Sequence, residues 1–467
     1  MIDSQESEMS MERLDYQLSG GLDREQIKQI IEDAYWLVEA VGVEVKPEAL
    51  RQPLAGQCGV RVTGQRVCVD ANVAQACWQA AEPTDVAATA SFVISNGGNT
   101  SMLLDLRTGE ARPPMVADLI EMCKLCDAFG LAGYAPIQPQ DVPVGMQEVA
   151  ANYYARLHAR ALGGGVMTSR SSAEYMYEMS QVAGPPFRVE YYAASPLAFD
   201  RTGLDTVFGF RGRGVPIAVG VYLLAGMSAP MSLAAAWTQW LAENIAAVVL
   251  LSFACEGDHI QWMADGGAHA SDFRYSNMRA GAPEEILFRL AGIQLMRHLG
   301  VEARGTVSVM GKQADARSAA ERLAGLMAFA LADVHVFYGA GLIGFDSIFS
   351  GAQLVMDLEL LAYVERFMRG MIWDGSEVCR AALRRAAPDT RYLIDELTIQ
   401  RSRPETWNSK LFEYSLYEQW RSEGGWSTSQ RMCDIAEGRI AGHQFELAPE
   451  KRRALDAIWE RAKTEMT

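Results

Sequence analysis

Aromatic side chains and methionines follow several short apolar runs of this 467-residue chain. The residues concerned are Tyr191, Tyr192, Tyr222, Trp262, Phe273, Tyr275, Met310, Phe337, Tyr338 and Phe345. Aromatic faces attract a cation such as a quaternary ammonium group, with about 0.5–2 kcal/mol per contact. Many such side chains simply pack in a core, so residue type alone leaves both interpretations open. We expect Tyr222 and Tyr338 to form the walls of a binding site, with Phe345 on an adjoining glycine-rich loop.

Two carboxylates, Asp265 and Asp315, fall just beyond apolar runs and could balance the charge of a bound cation. If those runs are strands of a barrel, both carboxylates face the site, because barrel active sites form where strands end. A structural role is the alternative, since an aspartate in front of a helix caps its first turn. No residues are spaced as a general acid and base, and we assign none.

The segment Gly339–Gly344 has the spacing Gly-x-Gly-x-x-Gly after an apolar run, with Asp357 and Glu359 further along the chain. This spacing is typical of nicotinamide dinucleotide binding, so an oxidoreductase is the competing enzymatic function. Such a turn normally lies in the first βαβ unit of its fold, whereas here it ends the last clear strand. Residues 345–351 are predicted as a loop. A glycine-rich loop that admits a ligand or partner closely is the favoured interpretation.

The spacing of cysteines and histidines does not predict a metal site. Cys123 and Cys126 fall within one predicted helix, and a zinc site would need two more ligands nearby. The best remaining candidates, His259 and His269, flank one strand end without a recognised ligand spacing. The eight cysteines are scattered in the way that buried free thiols are. We therefore expect neither a disulfide framework nor a bound metal.

The elements that must position these residues alternate between short β-prone runs and longer helical runs. The β-prone runs are 131–137, 164–168, 191–199, 215–224, 259–263, 306–310 and 334–338. Alternating βα units imply a parallel sheet, and seven or eight units over about 250 residues imply a closed barrel rather than an open sheet. The predicted fold is therefore α/β, a (β/α)8 TIM barrel over residues 91–355.

Two further regions flank the predicted barrel. Residues 1–90 are predicted as a small α+β cap, with a helix from Asp23 to Ala40 and a hairpin that turns at Gly64. Residues 356–467 are predicted as a helical extension packed on the barrel, because amphipathic runs recur there.

Charge and hydropathy limit the partners of the chain. It has 42 Lys and Arg against 58 Asp and Glu, a formal net charge of −16. Nucleic acids and anionic membranes attract positive surfaces, so neither is expected as a partner. The N-terminus is acidic without a signal-peptide pattern, and the longest apolar stretch, 245–254, is about half of what a membrane span needs. We expect a cytoplasmic protein.

Five segments follow one another in an order shared with a known family. Ser195-Pro196-Leu197 resembles its Ser-Pro-Leu, and residues 226–246 resemble a stretch with Ala-Pro followed by Asn-Ala-Glu. Residues 313–322 are similar to a helix start in the family, and 356–359 to its Leu-Asp-Asn-Glu. Residues 392–398 are similar to a C-terminal Tyr-Leu followed by His-Thr. Together these segments resemble the trimethylamine methyltransferase family.

The resemblance implies a corrinoid-dependent methyltransferase of EC class 2.1.1. Members of the family are (β/α)8 barrels that demethylate methylamines or quaternary amines and pass the methyl group to the cobalt of a separate corrinoid protein. Standard residues occupy Val309–Lys312 in this chain, which therefore resembles the branch without pyrrolysine, whose substrates are quaternary amines such as betaines. The expected substrate is thus a small quaternary or tertiary amine. The corrinoid (cobalamin) is expected on a partner protein, with none bound tightly here, and a homo-oligomer is implied.

The resemblance also adds three residues to the expected site. Met310 and Gln313 lie near the segment that corresponds to the family's pyrrolysine strand end. Glu396 adjoins the His-Thr position, which is Leu397-Thr398 here, and its negative charge would favour a cation that lacks a carboxylate. Such departures leave a non-catalytic binder of cationic osmolytes as another alternative. The expected substrate-binding residues are Tyr222, Asp265, Met310, Gln313, Asp315, Tyr338, Phe345 and Glu396.

Overall fold

The structure, a computed structural model, describes residues 21–84, 89, 91–165, 167–264, 267–371, 373–387 and 391–466. The strands are β1 (Val43–Val45), β2 (Val60–Thr63), β3 (Arg66–Val69), β4 (Glu82–Pro83), β5 (Val93–Asn96), β6 (Met102–Leu104), β7 (Ala111–Arg112), β8 (Val189–Ala193), β9 (Ala198–Phe199), β10 (Ile217–Val221), β11 (Leu223–Ala225), β12 (Ile260–Trp262), β13 (Ala268–Asp272), β14 (Asn277–Met278), β15 (Arg304–Thr306), β16 (Val336–Ala340), β17 (Leu342–Ile343) and β18 (Ile348–Ser350).

The helices are α1 (Arg24–Trp36), α2 (Glu48–Arg51), α3 (Ala71–Ala80), α4 (Val116–Ala128), α5 (Gln147–His158), α6 (Arg170–Val182), α7 (Leu204–Phe210), α8 (Leu233–Ala254), α9 (Pro283–His298), α10 (Ala316–Leu331), α11 (Gly351–Met368), α12 (Ser376–Ala386), α13 (Glu396–Glu405), α14 (Tyr417–Ser422), α15 (Thr428–Ala441) and α16 (Pro449–Glu465). A π-helical turn at Leu37–Val41 continues α1, and short 3-10 turns lie at Gln52–Leu54 and Tyr392–Ile394.

Parallel strand pairs form the centre of the molecule. Strand β10 pairs in parallel with β8 on one side and β12 on the other, and β16 pairs in parallel with β15 and β5. Single parallel bridges continue from Asn96 of β5 to Gly133 and from Gly133 to Leu162. Helices connect most of these successive strands, as parallel pairing requires. The fold is therefore mixed α/β, and within the described ranges its strands form five hydrogen-bonded sheets.

The N-terminal elements form where the sequence predicts them. Asp23 caps α1 by accepting a hydrogen bond from the Gln26 amide at 2.8 Å, and the Gln26 side chain returns one to the Asp23 amide at 2.9 Å. This reciprocal capping satisfies two amides that a helix start otherwise leaves unpaired. Strands β2 and β3 form the predicted antiparallel hairpin.

Some predictions about elements need correction. Among the described residues of 164–168 there is no strand, and the bridge at Leu162 occupies that place in the sheet. The predicted loop 345–351 contains β18, because residues 348–350 pair in parallel with β6 and extend its sheet. A pattern of isolated apolar residues cannot reveal such pairing, which depends on the neighbouring strand.

Helix α8 is apolar on all sides, and other elements of the fold surround it. Its contacts include α1, α2 and α3 on the N-terminal side and β10 and β12 of the parallel sheet. Such a helix is normally found inside a protein core. It is also the one described helix long and apolar enough to cross a membrane, and 78% of its apolar window is buried within the protein.

The C-terminal helices pack on helices that follow the central strands. Helix α15 contacts α4 and α11, and α16 contacts α5 and α6. The rings of Tyr153 and Trp459 stack at 5.2 Å, and the Tyr153 hydroxyl donates to Asp456 at 2.7 Å. The C-terminal region is thus attached to the outer helical layer.

Candidate active site

A cavity of about 300 Å³ lies among the parallel strands. Its lining residues are Thr84, Ser95, Ala132, Gly133, Tyr134, Arg188, Tyr192, Tyr222, Met263, Ala264, Arg304, Thr306 and Tyr338. Tyr192 and Tyr222 remain 40% and 48% exposed, so the wall that they form reaches the protein surface. A volume of this size suits a small organic molecule.

Strand β8 supplies one wall through the alternation of its side chains. Val189 and Tyr191 are buried in the core, whereas Glu190 and Tyr192 point to the opposite face, as successive strand residues do. Arg188 precedes the strand on that same face and lines the cavity. This face of β8 therefore places Arg188 and Tyr192 at the cavity, and the Glu190 carboxylate contacts both of them.

Glu190 is the carboxylate at the centre of this arrangement. The Tyr134 hydroxyl and Arg188 Nε each donate to Glu190 Oε1 at 3.1 Å, and the Tyr192 hydroxyl donates to Oε2 at 3.1 Å. The Glu190 side chain is only 10% exposed. Three donors from three cavity-lining residues hold the carboxylate in one orientation.

Two partly buried tyrosines of the cavity, Tyr134 and Tyr338, are held in their protonated form. The negative charge of Glu190, together with burial, raises the pKa of Tyr134 well above its usual value. Burial, with a smaller contribution from the charge of Asp346, raises the pKa of Tyr338 to about 12. Both side chains are therefore neutral at physiological pH and present uncharged aromatic faces.

The ring of Tyr222 stacks against a buried histidine. Its ring is parallel to that of His269 on β13, with centroids 5.8 Å apart, and His269 Nδ1 lies 2.7 Å from Glu285 Oε1. Burial alone would raise the pKa of Glu285, but the charge and hydrogen bond of His269, aided by Arg289, outweigh it and lower the pKa. The ionised Glu285 fixes the imidazole, and through it the Tyr222 ring.

Phe345 lies on the other side of His269. Its ring meets the imidazole edge-on at 6.4 Å, and its amide donates to the Val309 carbonyl at 2.7 Å. The backbone φ of Phe345 is 70°, a left-handed conformation that non-glycine residues rarely adopt. Burial raises the pKa of the neighbouring Asp346, although the His269 charge lowers it in part. The loop after β17 is thus held in a strained conformation beside the aromatic wall.

Arg304, the first residue of β15, lines the same cavity without a carboxylate partner in the described chain. Its Nε is buried and makes no hydrogen bond within the described residues. The cavity therefore contains two guanidinium groups, of which Arg188 is paired with Glu190.

Of the residues predicted from the sequence, Tyr222 and Tyr338 line one cavity. Phe345 is connected to that wall through His269. Asp265 lies outside the described residues.

The remaining predicted residues are not among those that line the cavity. Asp315 caps α10, accepting from the Arg317 and Ser318 amides at 3.0 and 3.1 Å. The Gln313 carbonyl accepts from the Ser318 hydroxyl, the Met310 amide donates to Glu321, and Glu396 is exposed in the first turn of α13. The helix start explains Asp315, because its unpaired amides attract the nearest carboxylate.

The sequence did not predict several polar residues of the cavity lining, among them Tyr134, Arg188, Tyr192 and Arg304, nor Glu190, which three of them contact. The predicted residues were expected beyond strand ends, whereas these lie within or beside the strands. A signal was available for β8, because Arg188, Glu190 and Tyr192 alternate with Val189 and Tyr191, although the predicted β-prone run begins only at residue 191. Charged residues on one face of a strand that is apolar on the other indicate a polar interior.

The Gly-x-Gly-x-x-Gly segment lacks the setting of a dinucleotide site. It spans the end of β16 and β17, and β18 intervenes before α11 begins. A dinucleotide turn needs a helix N-terminus directly after it. Asp357 is fully buried, accepting from Arg322 Nε at 2.9 Å and the Gly341 amide at 2.8 Å, so it cannot contact a ribose. The geometry gives the oxidoreductase interpretation no support.

Two of the motifs that carry the family resemblance meet in space. The Ser195 hydroxyl and the Leu197 amide both donate to the carboxylate of Glu243, the latter at 2.7 Å. Gln239 donates to the same carboxylate at 2.8 Å, and Glu243 is fully buried. Desolvation raises the pKa of Glu243, although its three hydrogen bonds oppose that shift. These motif residues fix the loop after β8 to α8.

The described residues contain no group of three or more His, Cys, Asp or Glu side chains arranged to hold a metal ion. His259 Nε2 lies 3.0 Å from Glu82, whereas His269 contacts Glu285, so the two histidines have different partners. Cys123 and Cys126 are both buried in α4, and burial raises the pKa of each thiol.

Comparison with known proteins agrees with the motif evidence. Residues 5–467 match the family model described as trimethylamine methyltransferase (MTTB). The glycine betaine methyltransferase of Desulfitobacterium hafniense (strain Y51) is 23% identical over 427 residues, 86% of this chain and 88% of that protein. The proline betaine:corrinoid methyltransferase of Eubacterium limosum is 27% identical over 226 residues, 47% of this chain and 46% of that protein.

A solved structure was also found, the monomethylamine methyltransferase of Methanosarcina barkeri. It aligns with 90% of this chain and 94% of its own at 11% identity, with a TM-score of 0.41. The full-length match to the family model confirms the resemblance seen in the motifs. This chain belongs to the trimethylamine methyltransferase family.

Proposed function

We propose that this chain transfers a methyl group from a quaternary amine to the cobalt of a separate corrinoid protein. The observation that carries the proposal is the cavity that Tyr134, Tyr192, Tyr222 and Tyr338 line, with the Glu190 carboxylate hydrogen-bonded to two of these tyrosines. Aromatic faces and a carboxylate together stabilise a cation. The names of the glycine betaine and proline betaine:corrinoid relatives support the same class of substrate and acceptor.

The residues of the cavity suit this reaction because it needs no proton donor. When bound to the partner protein, the corrinoid supplies a reduced cobalt that accepts the methyl group. The tyrosines and Glu190 hold the ammonium group and orient one C–N bond toward the opening. The leaving group is a neutral tertiary amine, so no general acid is required. Loss of its charge weakens its attraction to the aromatic faces, which favours product release.

The surface beside the cavity fits a docked corrinoid protein. Strands β11 and β13 continue beyond the C-terminal ends of β10 and β12, and the loops after them carry four exposed apolar residues. We call these the mouth rim: Met227, Met231, Phe273 and Tyr275. A Cβ on Gly226 would lie 2.5 Å from the Phe273 ring, so glycine allows this ring to pack on the backbone. An exposed apolar patch next to a cavity is typical of a protein interface.

The proposed architecture is the closed (β/α)8 barrel over residues 91–355, with the cap 1–90 and the helical extension 356–467. Leu162, Gly133, β5, β16 and β15 give one arc of five parallel strand positions. Strands β8, β10 and β12 give a second arc of three, and the two-residue strand β4 pairs in parallel with the outer edge of β12. Two arcs joined edge to edge supply the eight positions of a barrel, and the cavity lies on their shared inner face.

We further propose a homo-oligomer in the cytoplasm. Residues 373–405 carry apolar side chains that the rest of the chain leaves exposed, among them Trp373, Leu393, Ile394 and Ile399. A second copy that covers them would remove this apolar surface from water. The net charge of −16 supports a protein whose partners include neither nucleic acid nor an anionic membrane.

Methyl transfer measured with matched carboxylate variants tests the proposal. Methylation of Co(I)-cobalamin by candidate quaternary amines is followed by absorbance, for the wild type, Glu190→Gln and Glu174→Gln. Glu174 lies on α6, outside the cavity lining, and its Oε1 accepts from Arg213 Nη1 at 2.8 Å. Its variant therefore controls for the loss of one charge. We expect transfer by the wild type and the control, and a strong loss in Glu190→Gln.

Other outcomes distinguish the alternatives. Binding of quaternary amines by the wild type without any methyl transfer would identify a non-catalytic binder of osmolytes. Tight binding of a nicotinamide dinucleotide would instead support the oxidoreductase function.

A further inference from the structure

We propose that Arg304 binds a carboxylate group of the substrate, so that the cavity selects a zwitterion over a bare quaternary cation. This inference rests on the proposed function and specifies its substrate class. It follows from a guanidinium group in the cavity that the described protein leaves without a counter-charge.

First, the two arginines of the cavity differ in their hydrogen-bond partners. Arg188 is paired with Glu190 through Nε and Nη2, both at 3.1 Å. Arg304 has a buried Nε with no hydrogen-bond partner in the described chain, and it lines the same cavity. A guanidinium carries five donors in a planar fork that matches a carboxylate. A buried donor without a partner is unfavourable, so the site favours a ligand that supplies the acceptor.

The second observation is the balance of charge around the cavity. Among the described residues, Arg188 and Arg304 are positive and Glu190, which contacts the lining, is negative. Among these described side chains, the two guanidinium groups therefore outnumber the carboxylate by one. A zwitterion brings a carboxylate that neutralises this excess while its ammonium group occupies the tyrosines.

The third observation is the relative depth of the two groups. Arg304 is the first residue of β15, whereas Tyr222 follows the last residue of β10. Parallel strands of the proposed barrel run toward the same mouth, so Arg304 lies deeper than Tyr222. A substrate held by its carboxylate at Arg304 would point its ammonium group, and the methyl groups on it, toward the mouth rim. That orientation is the one that transfer to a docked partner requires.

Calorimetry with two matched ligands tests the inference apart from catalysis. Glycine betaine and choline share a trimethylammonium group on a methylene carbon, and differ in a terminal carboxylate against a hydroxymethyl group. We expect the wild type to bind glycine betaine about tenfold or more tightly than choline, since a charge-assisted bidentate pair is added. Arg304→Gln should weaken glycine betaine binding by about tenfold to a hundredfold and leave choline binding within about twofold.

Two further variants sharpen the test. Arg304→Lys should bind glycine betaine with intermediate affinity, because lysine keeps the charge but not the planar fork. Arg297→Gln changes an exposed arginine on α9, 3.9 Å from Asp333, and should behave as the wild type. Retained choline binding in Arg304→Gln shows that the cavity is still folded.

Several outcomes would overturn the inference. They are unchanged glycine betaine affinity in Arg304→Gln, equal loss of both ligands, and a wild type that prefers choline or binds neither ligand. Failure of the proposed function would give a different result. The variants would still bind the two ligands as expected in calorimetry, but no quaternary amine would methylate the cobalt.

Discussion

The phenol ring of Tyr222 lies parallel to the imidazole of His269, with their planes 2° apart and their centroids separated by 5.8 Å. Tyr222 is 48% exposed, whereas His269 is buried and hydrogen-bonded to Glu285. One face of the tyrosine is thus occupied by a fixed side chain inside the protein. Because Tyr222 also lines the cavity, its ring is positioned before any ligand arrives.

The Tyr222 ring, rather than its hydroxyl, should carry its contribution to binding. Tyr222→Ala should weaken binding of a trimethylammonium ligand by about twofold to thirtyfold, since one cation–π contact is lost. Tyr222→Phe keeps the aromatic face and should stay within about twofold of the wild type. Calorimetry measures both, with exposed Tyr417→Ala in the C-terminal region as the control. Equal affinities for Tyr222→Ala and wild type would show that this wall does not contact the cation.

The sequence identified aromatic walls more readily than the carboxylate beside them. Tyr222 and Tyr338 follow or fall within recognisable β-prone runs, and both line the cavity. Glu190 lies inside a strand, and its role depends on Tyr134, which is distant in sequence and reaches it only after folding. Spacing along one chain cannot reveal a contact made between separate strands. The same limit applies to Arg304, whose lack of a partner is a property of the folded cavity.

Asp315 should contribute to stability rather than to ligand affinity. Its carboxylate accepts from two amides at the start of α10, so Asp315→Ala should lower the free energy of unfolding by about 0.5–2 kcal/mol. Asp315→Asn keeps a good capping residue and should cost less. Denaturant unfolding gives the stability and calorimetry gives the affinity of each variant. A fall in quaternary amine affinity with Asp315→Asn would support the role first predicted from the sequence.

Two of the family motifs meet away from the cavity. Ser195 and Glu243 are separated by a helix and strands in sequence, yet they meet as one buried hydrogen-bonded group. Neither lines the cavity. A buried carboxylate needs hydrogen-bond donors, and these motif residues supply them without lining the cavity. These two motifs therefore contribute to packing, whereas the residues at the cavity lie on strand faces between them.

Glu243 should make stability depend on pH in a definite direction. Because its pKa is raised in the native state, its stabilising contribution is complete below the unfolded value of about 4.3 and is lost as pH rises through the native pKa. Glu243→Gln keeps acceptor and donor positions for Leu197, Gln239 and Ser195 and cannot ionise. The wild type should therefore lose stability relative to Glu243→Gln as pH rises from about 4 to 8. Chemical denaturation across that range measures the difference.

A second variant at this position separates charge from hydrogen bonding. Glu243→Ala leaves the Leu197 amide without its acceptor and should lower the free energy of unfolding by about 1–3 kcal/mol at any pH. A difference between wild type and Glu243→Gln that stays constant with pH would contradict the shifted ionisation.

The mouth rim connects the cavity to the proposed partner. Phe273 is 62% exposed at the tip after β13, and Met231 is 48% exposed in the loop after β11. Both lie on the extension of the strands that end beside Tyr222. Apolar groups exposed at this place gain nothing from burial in the folded chain, and a docked protein would remove them from water.

A charge placed on the mouth rim should impair partner docking and spare amine binding. Phe273→Glu and Met231→Glu should each raise the KM for the corrinoid protein about tenfold or more, because a charge at an apolar interface must be desolvated. Amine affinity in calorimetry should stay within about twofold of the wild type. Leu287→Glu, at a 60% exposed position on α9, makes the same change away from the rim and should leave the KM unchanged. If the rim variants methylate the partner as the wild type does, the corrinoid protein docks elsewhere.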